Sequence, residues 1–297
     1  LHEEPICSDN LGGVYSLQFH PLYEDILLAA GKGGNVTIFR SPLGHVQGEY
    51  WQEKQELFSF AAHGRWVSGA RFLHCDLKSS SNSSSMYVLT TSDDGKVKLW
   101  NVNRSRVSSS SSSSSHKMPE LLWTSSFIHD RGIFGFDLIG TSVLTGAKDR
   151  TVCYSQVNLD GSVLTPTTQF CMHSGVVKSV SWQRCLATTH GQGYQDCKIF
   201  ASGSQDRSIC IKDIRSGSAT STDKPDIDLE DAHASGVHTV QFNPYGSDHL
   251  LLSGAMDPVL KVWDIRHMDN KQGPLYAFTG HVQSNKKMKY ITPSCFF

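Results

Sequence analysis

His233, Ser253 and Asp257 are the residue types of a hydrolytic triad: an imidazole that can act as base, a hydroxyl that can attack, and a carboxylate that can orient the ring. Acyl transfer would be the chemistry to test if the chain held one such set. It holds several. His63 with Thr90 and Asp94, His129 with Thr145 and Asp149, and His173 with Ser202 and Asp206 repeat the same types in the same order, with the Ser or Thr four residues before the Asp. An active site is needed once, whereas a bracing device is needed in every unit of a repeated fold. The repetition therefore reads these sets as internal hydrogen-bonded braces in a non-enzymatic chain and leaves hydrolysis as a remote alternative.

The elements that position these residues recur with them. Counting from each His, apolar residues stand at offsets of four, seven and nine: Val67, Ala70 and Phe72; Ile133, Phe136 and Leu138; Val177, Val180 and Trp182; Val237, Val240 and Phe242. Asn10 takes the His place before Val14, Leu17 and Phe19. Six residues beyond the Asp stands an aromatic, Trp100 or Trp263, replaced by Ser155 and Lys212 in the middle units. The first unit keeps only Phe39 of this second half and has Gly33 at the Asp position. Runs such as ILLAA, VTIF, MYVLT, VKLW, KIFAS and LKVWD are short, rich in β-branched and aromatic residues, and separated by turns. Only EYWQEKQELF approaches a helical period. The spacing predicts units at about 10–62, 63–128, 129–172, 173–232 and 233–280, with a partial one at 281–297. Serine-rich stretches at 78–85 and 105–116 have almost nothing apolar to bury, since homopolymeric Ser offers none, and read as solvent loops.

This pattern resembles the WD-repeat family, whose units run from a Gly-His-like pair to a Trp-Asp-like pair. The resemblance implies an all-β propeller of four-stranded blades, here five recognisable blades plus the start of a sixth, as in a truncated seven-blade ring. It also implies that His63, Thr90, Asp94 and Trp100, and likewise His233, Ser253, Asp257 and Trp263, form complete four-residue braces. The sets at His129, Thr145, Asp149 and at His173, Ser202, Asp206 are partial.

Composition excludes several classes. With 27 basic and 28 acidic residues the net charge is −1, so no global charge calls for nucleic acid or a membrane surface. No stretch approaches about 18 uninterrupted apolar residues, so a membrane span is not expected. The first ten residues carry three acids, Glu3, Glu4 and Asp9, where a secretory leader would be basic. Eight scattered cysteines without a CxxC pair read as reduced thiols of a cytoplasmic or nuclear protein. Cys185, His190 and Cys197 could supply three zinc ligands, but nothing sets a fourth. The glycines of AAGKGGN sit in a strand-to-strand turn with no helix after them, so no phosphate-cradling loop and no cofactor are implied.

Function then rests on the surface, and the partners expected are other proteins. The loops before the first strand and between the second and third of a unit carry Arg65, Trp66, Arg131, Lys148, Arg150 and Arg207, a basic face suited to an acidic or phosphorylated peptide. Trp263-Asp264-Ile265-Arg266 is similar to the WDxR box of propeller proteins that serve as substrate receptors of cullin-RING ubiquitin ligases. That resemblance implies that Arg266 docks the ligase adaptor, with Arg215 a weaker counterpart because Lys212 replaces the Trp. The fourth and fifth units also resemble repeats of histone-binding WD-repeat chaperones, sharing Phe242-Asn243-Pro244-Tyr245 in kind. No stretch reads as the long N-terminal helix that helps those chaperones hold a histone. A chromatin- or vesicle-associated scaffold without a ligase link is the competing role.

Overall fold

The computed structural model describes residues 12–40 (except 22 and 24), 55–73, 85–103, 119–125, 128–157, 165–184, 198–215, 224–244, 249–267 and 273–279. The serine-rich stretches apart from Ser85, the expected sixth unit, Asn10, Tyr245 and the Cys185, His190, Cys197 set lie outside these residues.

Among the described residues the secondary structure is twenty β-strands and one short 3-10 turn, Ile265–His267. Each group of four consecutive strands forms one antiparallel meander. The first blade is β1 (Val14–Phe19), β2 (Ile26–Gly31), β3 (Asn35–Arg40) and β4 (Gln55–Ala61). The second is β5 (Val67–Leu73), β6 (Ser85–Ser92), β7 (Val97–Asn103) and β8 (Glu120–Thr124). The third is β9 (Ile133–Ile139), β10 (Ser142–Ala147), β11 (Val152–Gln156) and β12 (Thr165–Phe170). The fourth is β13 (Val177–Trp182), β14 (Ile199–Ser204), β15 (Ile209–Asp213) and β16 (Ile227–Leu229). The fifth is β17 (Val237–Phe242), β18 (Leu250–Ala255), β19 (Val259–Asp264) and β20 (Tyr276–Thr279). The described part of EYWQEKQELF, residues 55–58, is strand, not helix. It lies in β4, which pairs with β3 from Asn35↔Ala61 to Arg40↔Gln55, so the ladder overrides a weak helical period.

The blades fall into two compact units, the first two blades in one and the remaining three in the other. In the first unit, Leu28, Val36, Ile38 and Phe60 of the first blade share a core with Val67, Phe72, Val88 and Trp100 of the second. In the second unit, Leu144, Tyr154 and Phe170 pack with Val177, Trp182 and Phe200. There, too, Ile209, Ile211 and Leu229 pack with Val237, Phe242, Leu251 and Trp263. The offset pattern read from each His thus marks an innermost strand that must bury apolar side chains against a neighbouring blade.

Innermost strands of neighbouring blades approach without forming a ladder, so their outward N–H groups need other partners. Side chains of the preceding strand supply them. Gln18 Oε1 accepts from Phe72 N at 2.8 Å and Ser16 Oγ from Ala70 N at 3.2 Å. In the second unit Asp137 Oδ2 accepts from Trp182 N at 2.8 Å, and Ser179 Oγ and Ser181 Oγ each accept at 3.1 Å, from Val240 N and Phe242 N.

Candidate functional site

The most chemically suggestive residues meet inside each of the last four blades. In the second, His63 Nδ1 lies 2.9 Å from Asp94 Oδ2, His63 Nε2 lies 2.9 Å from Thr90 Oγ1, and Trp100 Nε1 donates to Thr90 Oγ1 at 3.1 Å. In the fifth, His233 Nδ1 lies 3.1 Å from Asp257 Oδ1, Nε2 lies 2.8 Å from Ser253 Oγ, and Trp263 Nε1 donates to Ser253 Oγ at 2.8 Å. Proton counting fixes the direction of the chain. The carboxylate takes the Nδ1 proton, Nε2 is left as an acceptor, and it takes the hydroxyl proton while the hydroxyl oxygen takes the indole N–H.

That direction matches an activated nucleophile, but access does not. Thr90, Ser253 and Ser202 are 0% exposed and Thr145 is 1% exposed, so no substrate carbonyl reaches these hydroxyls. Each oxygen is also held inside its blade by the indole or the imidazole. What the geometry delivers is a tie between the loop before the innermost strand, the second strand and the third.

The two partial sets show how the tie is patched. In the third blade His129 bonds Thr145 Oγ1 at 2.8 Å and Asp149 Oδ2 at 2.9 Å, while Ser155, in the aromatic place, buries a hydroxyl without a protein partner. In the fourth, His173 bonds Ser202 Oγ at 2.8 Å and Ser208 Oγ at 2.9 Å, with Asp206 Oδ2 at 3.4 Å. Lys212 stands there for the Trp, and its Nζ donates to Lys224 O at 3.0 Å and Asp226 Oδ1 at 3.2 Å. A further tie was not expected from the repeat. Lys98 and Lys261, two residues before the tryptophans, donate at 2.7 and 2.6 Å to Ala62 O and Ala232 O, the residue before each His.

Burial pushes the Asp94, Asp149 and Asp206 carboxyls up, but the hydrogen bonds and charge of their histidines, with turn N–H groups, outweigh it and hold all three below the usual carboxylate range. Their stabilisation is present above the ordinary carboxylate pKa and is lost as pH falls through the folded value. Burial holds His233 below its ordinary 6.5 against the opposing pull of Asp257. The sign is the same: the contribution is complete above the unfolded value and is lost as pH falls through the folded one. The melting temperature should therefore decline on going from about pH 7 to about pH 5, with a shallower decline in His233→Asn. A flat profile over that range, by calorimetry, would contradict this account.

The turn aspartates also close the hairpin between second and third strands. Asp94 Oδ1 accepts from Lys96 N at 2.9 Å, Asp149 Oδ1 from Thr151 N at 3.1 Å, and Asp206 Oδ1 from Ser208 N at 3.0 Å. The residue following each Asp is left-handed, with φ +78° at Gly95, +72° at Arg150 and +77° at Arg207. Arg150 and Arg207, expected on a partner-binding face, thus project from strained turns.

The expected basic face is only partly assembled. In the first unit Arg65 pairs with Asp93 at 3.3 Å and Trp66 packs on Tyr15 with ring centroids 5.1 Å apart. In the second unit Arg207 pairs with Asp231 at 2.7 Å, an acid that sequence reasoning did not place on this face. Arg131 and Arg150 are exposed. Lys148 reaches over the Phe134 ring at 5.1 Å, and Lys178, which the loop-based reading missed, lies over the same ring at 3.9 Å. At the ends of the third strands, Arg266 Nε and Nη2 clasp Asp264 at 3.0 and 2.7 Å, and Arg215 clasps Asp213 with Nε at 3.0 Å and Nη2 at 2.7 Å. The guanidinium of Arg266 holds the Asp264 carboxyl well below the usual range.

Among the described residues no group of three His, Cys, Asp or Glu could hold a metal ion, and no helix is long and apolar enough to cross a membrane. The described cysteines Cys153, Cys171 and Cys210 are thiols; burial, then Asp149, pushes Cys153 up to about 12, away from thiolate reactivity.

The family model for the WD domain, G-beta repeat (WD40), matches residues 54–101 and 227–264, the two stretches whose four-residue braces are complete. Among solved structures, the crystal structure of Chaetomium thermophilum Raptor is similar in fold, with a TM-score of 0.64 and 19% sequence identity. The match covers 92% of this chain and 21% of the Raptor chain.

Proposed function

Because the chain is a WD-repeat β-propeller protein, a fold that serves other proteins as an interaction scaffold, we propose that it is a non-enzymatic substrate receptor of a cullin-RING ubiquitin ligase. The observation that carries this reading is Arg266. Its side chain is 58% exposed, yet its guanidinium is fixed by a two-pronged clasp on Asp264, from the 3-10 turn that follows the strand ending at Asp264 and closes the WDxR box. An exposed guanidinium already held in one orientation meets a partner carboxylate without a further loss of side-chain freedom. Partner segments are taken on the basic face of the second unit and are acidic. The thiols at Cys153, Cys171 and Cys210 support a reducing compartment, cytoplasm or nucleus.

Arg266→Ala should abolish co-purification with the ligase adaptor while the melting temperature barely moves, since an exposed ion pair contributes about 0–1 kcal/mol. Unchanged adaptor recovery from cells would overturn the receptor role. A chromatin- or vesicle-associated scaffold without a ligase link is the second reading. It is favoured by Arg215, which makes the same clasp on Asp213 in a repeat that lacks the Trp, as a turn-closing device would.

A further inference from the structure

Two positions lie side by side at the same end of every innermost strand. One is five residues after the His place: Tyr15, Ser68, Phe134, Lys178 and His238. The other directly precedes the turn Asp, or Gly33 in the first blade: Lys32, Asp93, Lys148, Gln205 and Met256. One backbone bond per blade brings them together, because the N–H of the second position donates to the carbonyl two residues before the first. These bonds are Lys32 N to Gly13 O at 2.8 Å, Asp93 N to Trp66 O at 3.1 Å, Lys148 N to Gly132 O at 2.9 Å, Gln205 N to Val176 O at 2.9 Å and Met256 N to Gly236 O at 3.2 Å.

In the second unit β13 packs between β9 and β17, so the positions of its three blades are neighbours. They hold two lysines, a histidine, a glutamine, a methionine and a phenylalanine, and no acid. The lysines converge: Lys178 Nζ lies 3.9 Å and Lys148 Nζ 5.1 Å from the centroid of the Phe134 ring, which seats both ammonium groups. Burial and then Lys148 hold Lys178 below the ordinary lysine range, and burial and then Lys178 do the same to His238. Two ammonium groups and an imidazole at the same end of adjacent innermost strands offer an anion several charged donors in one place. The equivalent place in the first unit has Asp93, already paired with Arg65.

We infer that Lys148 and Lys178, seated on Phe134, and His238 of the adjacent innermost strand form a phosphate-recognition site for a phosphoserine or phosphothreonine segment of a partner protein. This rests on the reading of the basic face as the partner-binding surface and replaces its arginines with a specific cluster. A phosphate group brings a charge of about −1.5 to −2 and three acceptor oxygens, which suits two ammonium groups and an imidazole better than a single carboxylate does. A nucleic-acid backbone would require a continued row of cations. Here the neighbouring positions are Gln205 and Met256, on a chain of net charge −1.

The test uses two degenerate peptide pools, one with a central phosphoserine or phosphothreonine and one unphosphorylated, titrated by fluorescence anisotropy against the whole chain. Capture of the phosphorylated pool alone is expected, weakened about tenfold or more in Lys178→Met and in Lys148→Met, retained in Lys178→Arg, and unchanged in Lys32→Met. Methionine keeps an apolar stem on Phe134. If Lys178→Met lowers the melting temperature, Lys148→Met, on a hairpin turn, decides. Equal binding of both pools, no binding of either, or parent-like capture by a folded methionine variant would overturn the site. Phosphopeptide capture by a chain that recovers no ligase adaptor would overturn the receptor role and keep this site; adaptor recovery without capture would do the reverse.

Discussion

Replacing Ser253 by Ala should destabilise the fifth blade strongly and abolish no chemical step. Two buried groups lose their partner at once, Trp263 Nε1 at 2.8 Å and His233 Nε2 at 2.8 Å, in a place where Ser253 itself is 0% exposed. Each group left unpaired costs about 1–3 kcal/mol, because water cannot reach it to compensate. Thr90→Val should act in the same way on Trp100 and His63 while keeping the shape of the side chain. Asp257→Ala should also destabilise, but less. Its carboxylate side chain is 12% exposed at the edge of the loop, so solvent can replace part of what it gives to His233 and to the Ala234 N–H. Urea unfolding of the three variants would measure the ranking. An unchanged midpoint in Ser253→Ala would remove the bracing account, and a lost activity in a variant of parental stability would restore a catalytic one.

The brace was legible because all its members belong to one blade and therefore recur at a constant spacing. His233, Ser253, Asp257 and Trp263 stand at the same intervals as His63, Thr90, Asp94 and Trp100 wherever the hairpin lengths between them allow. Strand alternation was legible for a related reason, since the innermost strands of the second, fourth and fifth blades bury the same offsets against a neighbouring blade, whereas Val14, Leu17 and Phe19 of the first are exposed. What crosses from blade to blade was not legible. The convergence of Lys148 and Lys178 on Phe134 joins the second unit's first two blades through residues 14 to 44 positions apart, with no shared motif. The pairing of Arg207 with Asp231 links a turn of one blade to the loop leading into the next, so a face judged loop by loop looked more basic than it is. A signal for the phosphate cluster did exist: the position five after each His reads Phe, Lys, His across the last three blades. It acquires meaning only once those strands are known to lie side by side.

Gly203 offers the second large effect, and it tests blade-to-blade packing directly. A Cβ at Gly203 would lie 2.6 Å from Val237 Cγ1 and 2.9 Å from Val240 Cγ1, on the innermost strand of the following blade. The same arrangement appears one blade earlier, where a Cβ on Gly146 would lie 2.5 Å from Val177 Cγ1 and 3.0 Å from Val180 Cγ1. In each case the glycine directly follows the brace hydroxyl, Ser202 or Thr145, so the second strand passes tightly under two valines of its neighbour. Neither glycine has a left-handed backbone, so the requirement is space and not conformation. Gly203→Ala should cost about 1–3 kcal/mol through overpacking, and Gly203→Val more. Gly64→Ala, where the added carbon meets nothing within 4 Å, should be near neutral and serves as the control. The decisive measurement is a double-mutant cycle. Val237→Ala destabilises alone by opening a cavity, yet combined with Gly203→Ala it should recover part of the loss, because the nearer of the two clashing methyls is removed. Strict additivity of the two changes in urea unfolding would mean that the fourth and fifth blades do not meet at this glycine.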